Sequence, residues 1–459
     1  MMTARILARG GLYLALRCLL GLAPVALLST PAAAEQFPLY SGIRPNVAFW
    51  ENIYSRYTTR QAVLHDSHDL SLVYGVVELV DPDLPLGTRF NEQRIKAAKM
   101  RLALLFDRLA AGQGPRTETE RRIARMFAGR PLSSYRQAKE RLRVQTGQKD
   151  RFYAGLVRSG RYLPYIRKVL AAEHLPLELA YLPHVESSFN PKAGSKAGAY
   201  GLWQFTQGTG RRYMIINALV DERFDPYQST HAAAKLLKAN YETLGNWPLA
   251  ITAYNYGSAG MLRALSAHGS YEAIFQDYAE GRFKFAARNF YSEFLAAVRV
   301  ARRLEPSVVM EKAQAVQSYR LKKEVPLARL CQQHRLDQAS FLRLNPALQS
   351  PVLSGRRNVP VNYLVHVPGR AGSEAARKGT AKPQPRFTGH SAPPVRQYSA
   401  ARPVIYDYYR HTVAQGDTLS GIARHFGTST ESILRANHKG PGNPVRVGER
   451  IIVPVKRRP

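Results

Sequence analysis

Prolines bracket and divide the stretch from Leu177 to Gln204, LELAYLPHVESSFNPKAGSKAGAYGLWQ. Pro176 stands where a helix can begin, because its missing N–H is not needed in the first turn. Asn190-Pro191 closes that helix, since the residue before a proline is pushed out of the α region. Pro183 is expected to kink it part-way. Between the ends, Leu179, Leu182, Glu186 and Phe189 recur at steps of three, four and three, which is one helical face. A carboxylate on a core-facing stripe loses water, and desolvation disfavours its charged form. Glu186 is therefore expected to hold its proton towards neutral pH and to be able to act as a general acid. The plainer alternative is a glutamate at a helix end that reaches solvent or a partner.

Ser195 follows nine residues later, then Gly198-Ala199-Tyr200-Gly201-Leu202-Trp203-Gln204 and Gly208-Thr209-Gly210. Such close glycines let backbone approach backbone or a ligand. They do not form a phosphate loop, because no Gly-Lys-Ser/Thr follows. Asp225-Pro226, Ser229-Thr230 and Ala253-Tyr254-Asn255-Tyr256-Gly257 come next. The ordered set ESSFNP, S, GAYGLWQF, DP..ST and AYN.G resembles the catalytic domain of the family 1 lytic murein transglycosylases, and the whole chain resembles their type D branch. The resemblance implies a mainly α, lysozyme-like domain over 151–305. It implies Glu186 as catalytic acid, with Ser195, Gln204, Tyr254 and Asn255 as substrate-binding residues beside it. The sequence departs from the branch at His184, close enough to the acid to alter its titration, at Thr206-Gln207, and at Phe224. Those departures bear on subsite preference more than on reaction type.

Most glycoside hydrolases need two carboxylates, and the motif region offers one good candidate. Glu178 is offset by about 80° around the helix and lies over two turns away. Asp221 and Asp225 sit near a helix start, where capping explains them.

Ahead of this region, residues 35–150 read as mostly helical. Asn46 can cap a helix carrying Val47, Trp50, Tyr54 and Tyr57. A short hairpin is expected between Gln61–Leu64 and Leu70–Val77, and helices over 88–111, 117–128 and 133–145. His65-Asp66-Ser67-His68-Asp69 reads as a polar turn in preference to a metal site. Ser229 or Thr230 can cap a helix through Leu244, and Pro248 can start the helix carrying Tyr254. The aromatic run Phe283–Phe294 reads as core in preference to a sugar platform.

Residues 1–34 read as an export signal. Arg5, Arg9 and Arg17 precede or begin an apolar run of eleven from Cys18 to Leu28, and Ala32-Ala33-Ala34 fits a cleavage site. Cys18 is not placed for lipidation, so a cleaved, unlipidated protein of the periplasm or cell envelope is expected. The formal charge is +33, and loss of the three arginines leaves about +30. That balance favours an anionic partner. Export and the lack of any zinc-finger, RNP or basic-zipper pattern argue against nucleic acid. With Cys18 removed, Cys331 is alone and no intrachain disulfide is possible.

Near the C-terminus, Val413, Gly416-Asp417-Thr418-Leu419, Ile422-Ala423, Phe426, Leu434, Asn437 and Ile451-Ile452-Val453-Pro454 match the LysM module. The match implies a βααβ fold over 405–459 that binds N-acetylglucosamine-containing glycans, with Gly416, Asp417 and Thr418 in the binding loop. Leu327, Leu330, Cys331 and His334 repeat the spacing of Leu419, Ile422, Ala423 and Phe426. Asn345 follows Leu327 by eighteen residues, as Asn437 follows Leu419. Residues 316–368 therefore read as a degenerate copy, with Cys331 as a buried thiol. Residues 369–404, rich in Ala, Pro, Ser and Gly, read as a flexible linker with an r.m.s. reach of roughly 30–35 Å.

The fold expected is thus multidomain: the helical N-terminal region, the lysozyme-like domain and small α+β modules. The resemblance implies a monomeric, cofactor-free enzyme that cleaves peptidoglycan glycan strands and associates peripherally with the wall or membrane. A lysozyme-like peptidoglycan or chitin hydrolase and a catalytically weak wall-binding scaffold are the alternatives.

Overall fold

The structure, a computed structural model, describes residues 36–82, 84–369, 406–437, 439–440 and 445–456. The expected export signal, and the expected linker beyond Gly369, lie outside the described residues. No described helix is long and apolar enough to cross a membrane.

Helix α1 (Arg44–Ser55) buries Val47, Trp50 and Tyr54 of the expected stripe and ends before Tyr57, its fourth member. Asn46 does not cap it. Pro45 occupies the first turn, and Asn46 lies inside the helix, donating through Nδ2 to Asn289 Oδ1 at 2.7 Å. The hairpin forms as β1 (Gln61–Asp66) and β2 (Val73–Glu78). Asp66 accepts hydrogen bonds from the backbone N–H groups of His68 and Asp69 and from the Tyr74 hydroxyl, so its carboxylate is spent on the turn.

Helices α2 (Gly87–Ala110), α3 (Glu118–Arg125) and α4 (Ser133–Glu140) follow. A reciprocal cap between Thr117 and Glu120 starts α3. The helix expected over 133–145 stops at Glu140, and Leu142–Thr146 becomes β3, antiparallel to β1. β1 is buried from Ala62 to Asp66. The backbone groups along its second edge have no water there and require a neighbouring strand.

The middle of the chain is helical: α5 (Lys149–Ser159), α6 (Leu163–Ala172), α7 (Leu182–Glu186), α8 (Gln207–Gly210), α9 (Pro226–Leu244), α10 (Trp247–Tyr256), α11 (Ser258–His268), α12 (Tyr271–Asp277) and α13 (Phe285–Leu304). Helix α1 shares one apolar core with this set, packing Trp50 against Phe285 and Tyr54 against Phe152. Phe283, Phe290, Tyr291 and Phe294 are buried, as core. Ser229 and Thr230 do not cap α9. Asp225 does, accepting from the N–H groups of Tyr227 and Gln228, while Pro226 fills the first turn. The two hydroxyls lie a turn further in and donate to the carbonyls of Asp225 and Pro226.

Two small units complete the chain. The first runs β4 (Val316–Arg320), α14 (Leu327–His334), α15 (Gln338–Leu344), α16 (Ser350–Leu353) and β5 (Leu364–Pro368). The second runs β6 (Tyr406–Thr412), α17 (Leu419–His425), α18 (Thr430–Ala436) and β7 (Arg450–Lys456). Each closes with an antiparallel strand pair, and each is locked by an asparagine in the same way. Asn345 Nδ2 donates to the carbonyls of Phe341 and His366, and its Oδ1 accepts from the His366 N–H. Asn437 makes the same three bonds with Ile433 and Ile452. Cys331 is buried on α14, where α17 carries buried Ala423.

The first small unit is docked on the helical domain. Val220 enters its apolar core, the Asp221 N–H donates to the Ala347 carbonyl at 2.8 Å, and the Gln349 N–H donates to the Leu219 carbonyl at 2.9 Å. His366 Nε2 meets Asp225 Oδ2 at 2.7 Å, with both side chains 1% exposed.

Candidate active site

Glu186 is the last residue of α7. The single kinked helix expected from Pro176 to Asn190 is two pieces, a 3₁₀ turn at Leu177–Tyr181 and the five-residue α7. Pro183 sits in the first turn of the second piece, where the missing N–H costs nothing, so it starts a helix instead of kinking one. Beyond Glu186 the chain leaves the helix through Ser188 and Phe189, at φ 50° and 55°. That left-handed turn carries Phe189 into the core. Leu179, Leu182 and Phe189 are fully buried, and Glu186 is half-buried beside them.

The glycine-rich loop is tied to this turn. Ser187 Oγ donates to the Leu202 carbonyl at 2.7 Å, and buried Trp203 donates from Nε1 to Thr230 Oγ1 at 3.0 Å. At Gly201 (φ 81°) a Cβ would lie 1.7 Å from the Arg223 carbonyl oxygen, so no side chain fits. Tyr254, on α10, donates its hydroxyl to the Trp203 carbonyl at 2.8 Å. Burial, and then the charge of Glu186, raise its phenol well above the usual value. Acid, loop and tyrosine are thereby brought together.

Gln204 (φ 50°) donates through Nε2 to the carbonyls of Ala193 and Gly201 at 3.2 and 2.9 Å. With Tyr254 and exposed Asn255 it lines a cavity of about 500 Å³. A second cavity of about 630 Å³ shares Tyr254, Tyr256 and Arg282 with the first. Ser195 lines neither. Its Oγ accepts from the Ala199 N–H at 3.0 Å and shapes an exposed turn.

Burial raises the Glu186 carboxyl from the usual carboxylate range to about 8, with the charge of Glu293 as the next cause. A carboxyl that keeps its proton at neutral pH can donate it to a leaving oxygen. His184 plays no part in this. It is buried against Phe152 and Phe189 at ring separations of 4.6 Å, and burial lowers its pKa to about 3. The ring is neutral at any pH where Glu186 titrates, so it offers no charge to shift the acid.

Residues 164–274 match the Transglycosylase SLT domain, and residues 411–454 match the LysM domain. The chain carries an SLT domain and a LysM domain. It is homologous to "Membrane-bound lytic murein transglycosylase D" of Escherichia coli (strain K12), at 25% identity over 305 residues, 64% of each chain. It thus spans 64% of that relative's length. A "Putative tributyltin chloride resistance protein" of Alteromonas sp. (strain M-1) is 38% identical over 111 residues, 24% of this chain and 54% of its own. The "Transglycosylase" of Enterobacteria phage PRD1 is 34% identical over 83 residues, 18% of this chain and 29% of its own.

Two groups outside the SLT match, Glu293 and Tyr54, border its acid, and a third, Arg143, acts on Glu293. Glu293, half-buried on α13, has burial as the main cause of a pKa raised to about 8. Arg143, on β3, opposes that rise and lies 3.9 Å from the Phe285 ring centroid. Tyr54, on α1, has its phenol raised by burial and then by Glu293 and Glu186. The motif-centred reading of a lone carboxylate overlooked Glu293. Periodicity could have found it, because Asn289, Phe290, Ala296 and Ala297, at three and four residues on either side, are all buried.

In the LysM domain, Gly416 takes φ 91°, Asp417 accepts from His411 Nε2 at 2.7 Å and from the Ala414 N–H at 2.9 Å, and Thr418 caps α17. All three residues build the turn before that helix.

Proposed function

We propose that this chain is a peptidoglycan lytic transglycosylase, acting in the cell envelope on the β-1,4 bond between N-acetylmuramic acid and N-acetylglucosamine. The observation that carries the proposal is the half-buried Glu186 of the SLT domain, held protonated up to about pH 8. The name of the Escherichia coli relative supports the substrate, and the expected export signal supports the location. Ser195, Gln204, Tyr254 and Asn255 bind the glycan in this reading, with Ser195 acting through the turn it holds. The enzyme works as a monomer in contact with the wall.

Glu186 protonates the oxygen that leaves C1 of the muramic acid. The neighbouring N-acetyl group stabilises the developing cation. The C6 hydroxyl of the same sugar then closes onto C1 and gives its proton to Glu186, which returns the acid to its starting state. The products are a 1,6-anhydromuramoyl end and a free N-acetylglucosamine 4-hydroxyl. No cofactor and no activated water take part. Glu293 does not supply the second carboxylate of a hydrolase, because it too keeps its proton near neutrality and is a poor base or nucleophile there.

Mass spectrometry of products from purified glycan strands tests the reading. Anhydro ends, one water lighter than hydrolysis products, are expected. Reducing muramic acid ends that take up ¹⁸O from labelled water would establish a hydrolase in its place. Glu186→Gln keeps the shape but cannot donate a proton, and should lower turnover by at least ~10²–10⁴-fold.

A further inference from the structure

The larger of the two cavities is one-sided in charge. Arg212, Arg263 and Arg282 line it, and no Asp or Glu does. None of the three guanidinium groups forms an ion pair among the described residues. The first turn of α11 lines the same cavity through Ser258, Ala259 and Gly260, and its N-cap, Gly257, has no side chain to satisfy the free N–H groups. Those groups add a weaker positive contribution to that of the arginines. The adjoining smaller cavity presents the amides of Gln204 and Asn255, and Arg282 belongs to both. Tyr254, whose phenol feels the charge of Glu186, lines both cavities; the smaller one adds the two amides, and the larger one adds two further unpaired cations, Arg212 and Arg263. At about 630 Å³ the cationic cavity falls within the range of small-ligand sites.

A glycan whose sugars are neutral but whose muramic acid bears an anionic branch matches that division. We propose that Arg212, Arg263 and Arg282 form a subsite for the carboxylates of the peptide stem on the muramic acid next to the cleaved bond. The assignment rests on the SLT cleft acting on peptidoglycan. Carboxylate is the shared chemistry of two sources, the stem itself and the lactyl group left bare when a stem is removed. The stem is favoured because the cavity is far larger than one carboxyl group requires.

The test is a titration of the full chain carrying Glu186→Gln, which prevents turnover, with short glycan strands of three kinds. One kind carries intact stems, one carries stems with amidated carboxylates, and one has been stripped by an amidase to expose lactyl carboxylates. The same chain with Arg263→Gln and Arg282→Gln added is titrated alongside, after its unfolding midpoint has been matched to the parent. The parent should prefer intact to amidated stems. The added substitutions should weaken binding of intact strands roughly 3- to 30-fold and bring that preference to near one. A weakening shared equally by all three ligands, or no weakening at all, would overturn the subsite. Selective loss on stripped strands would overturn the stem assignment in favour of the lactyl carboxylate. Because binding needs no cleavage, these outcomes stand apart from product analysis, which tests the transglycosylase reading.

Discussion

Glu186 and Glu293 are two carboxyl groups that folding places close enough for one to feel the other's charge while burial removes water from both. The elements around Glu186 add no cation that reverses this. Tyr54 and Tyr254 face it with neutral phenols, and Arg143 acts on Glu293. In the mechanism we propose the active form is protonated Glu186, so kcat/KM should fall as pH rises through about 8. Glu293→Gln removes the neighbouring negative charge, which lowers the Glu186 pKa and moves that alkaline limb to lower pH. Each unit of displacement costs about tenfold in protonated acid above the limb. The same substitution should stabilise the fold. In the unfolded chain Glu293 loses its proton in the usual carboxylate range, whereas the folded chain keeps it to about 8. The native state therefore binds the extra proton, and stability falls with rising pH between those values. Glu293→Gln should gain about 1–3 kcal/mol at neutral pH, discounted for the part of the side chain that reaches water, and nothing below about pH 4. A pH–rate profile and thermal unfolding at two pH values check both halves. An unmoved limb would remove Glu293 from the electrostatics of the acid.

At the scale of elements, Asp225 serves two structures at once. One oxygen caps α9 through Tyr227 and Gln228, and the other holds His366 on β5. His366 also meets Ser318 Oγ on β4 at 2.7 Å through its Nδ1, so the ring is fixed from both sides. The small unit at 316–368, which we read as a diverged LysM copy, is therefore fastened to the helix that anchors Trp203. His366→Ala leaves a buried carboxylate oxygen without its partner, which should cost about 1–3 kcal/mol. It should also loosen the docking of β5 on α9. Thermal unfolding measures the first effect, and faster amide exchange at the Asp221 and Gln349 N–H groups reports the second. A change below about 0.5 kcal/mol would mean that the apolar contact of Val220 and the backbone bonds of Asp221 and Gln349 hold the unit in place without His366.

For the whole molecule, the formal charge of +33 and the LysM domain offer two ways of reaching the wall. Ionic attraction to an anionic polymer is screened within about 10 Å at 0.1 M salt, and more strongly above that. Sugar recognition by a folded module does not depend on long-range charge. The full chain should therefore co-sediment with purified sacculi in high salt, and a chain ending before residue 410 should lose most of that binding. Retention of the truncated chain in high salt would assign wall binding to another part of the molecule.

Local chemistry was legible from the amino-acid sequence alone. The burial of Leu179 and Leu182, the capping role of Asp225, the hairpin at β1–β2 and the repeated asparagine of the two small units follow from spacing and turn residues. Each depends on neighbours a few positions away, or on a pattern repeated along the chain. Tertiary structure decided what distant segments do to each other. β3 displaced the end of an expected helix because buried β1 needed a partner. Asn46 gave up a cap to bond Asn289, more than two hundred residues on. Glu293 on α13 and Tyr54 from the N-terminal region came to border an acid whose motif contains neither, and Arg143 came to act on Glu293. Desolvation and Coulomb interactions depend on distance through space, and no local pattern encodes which of several buried glutamates will face another.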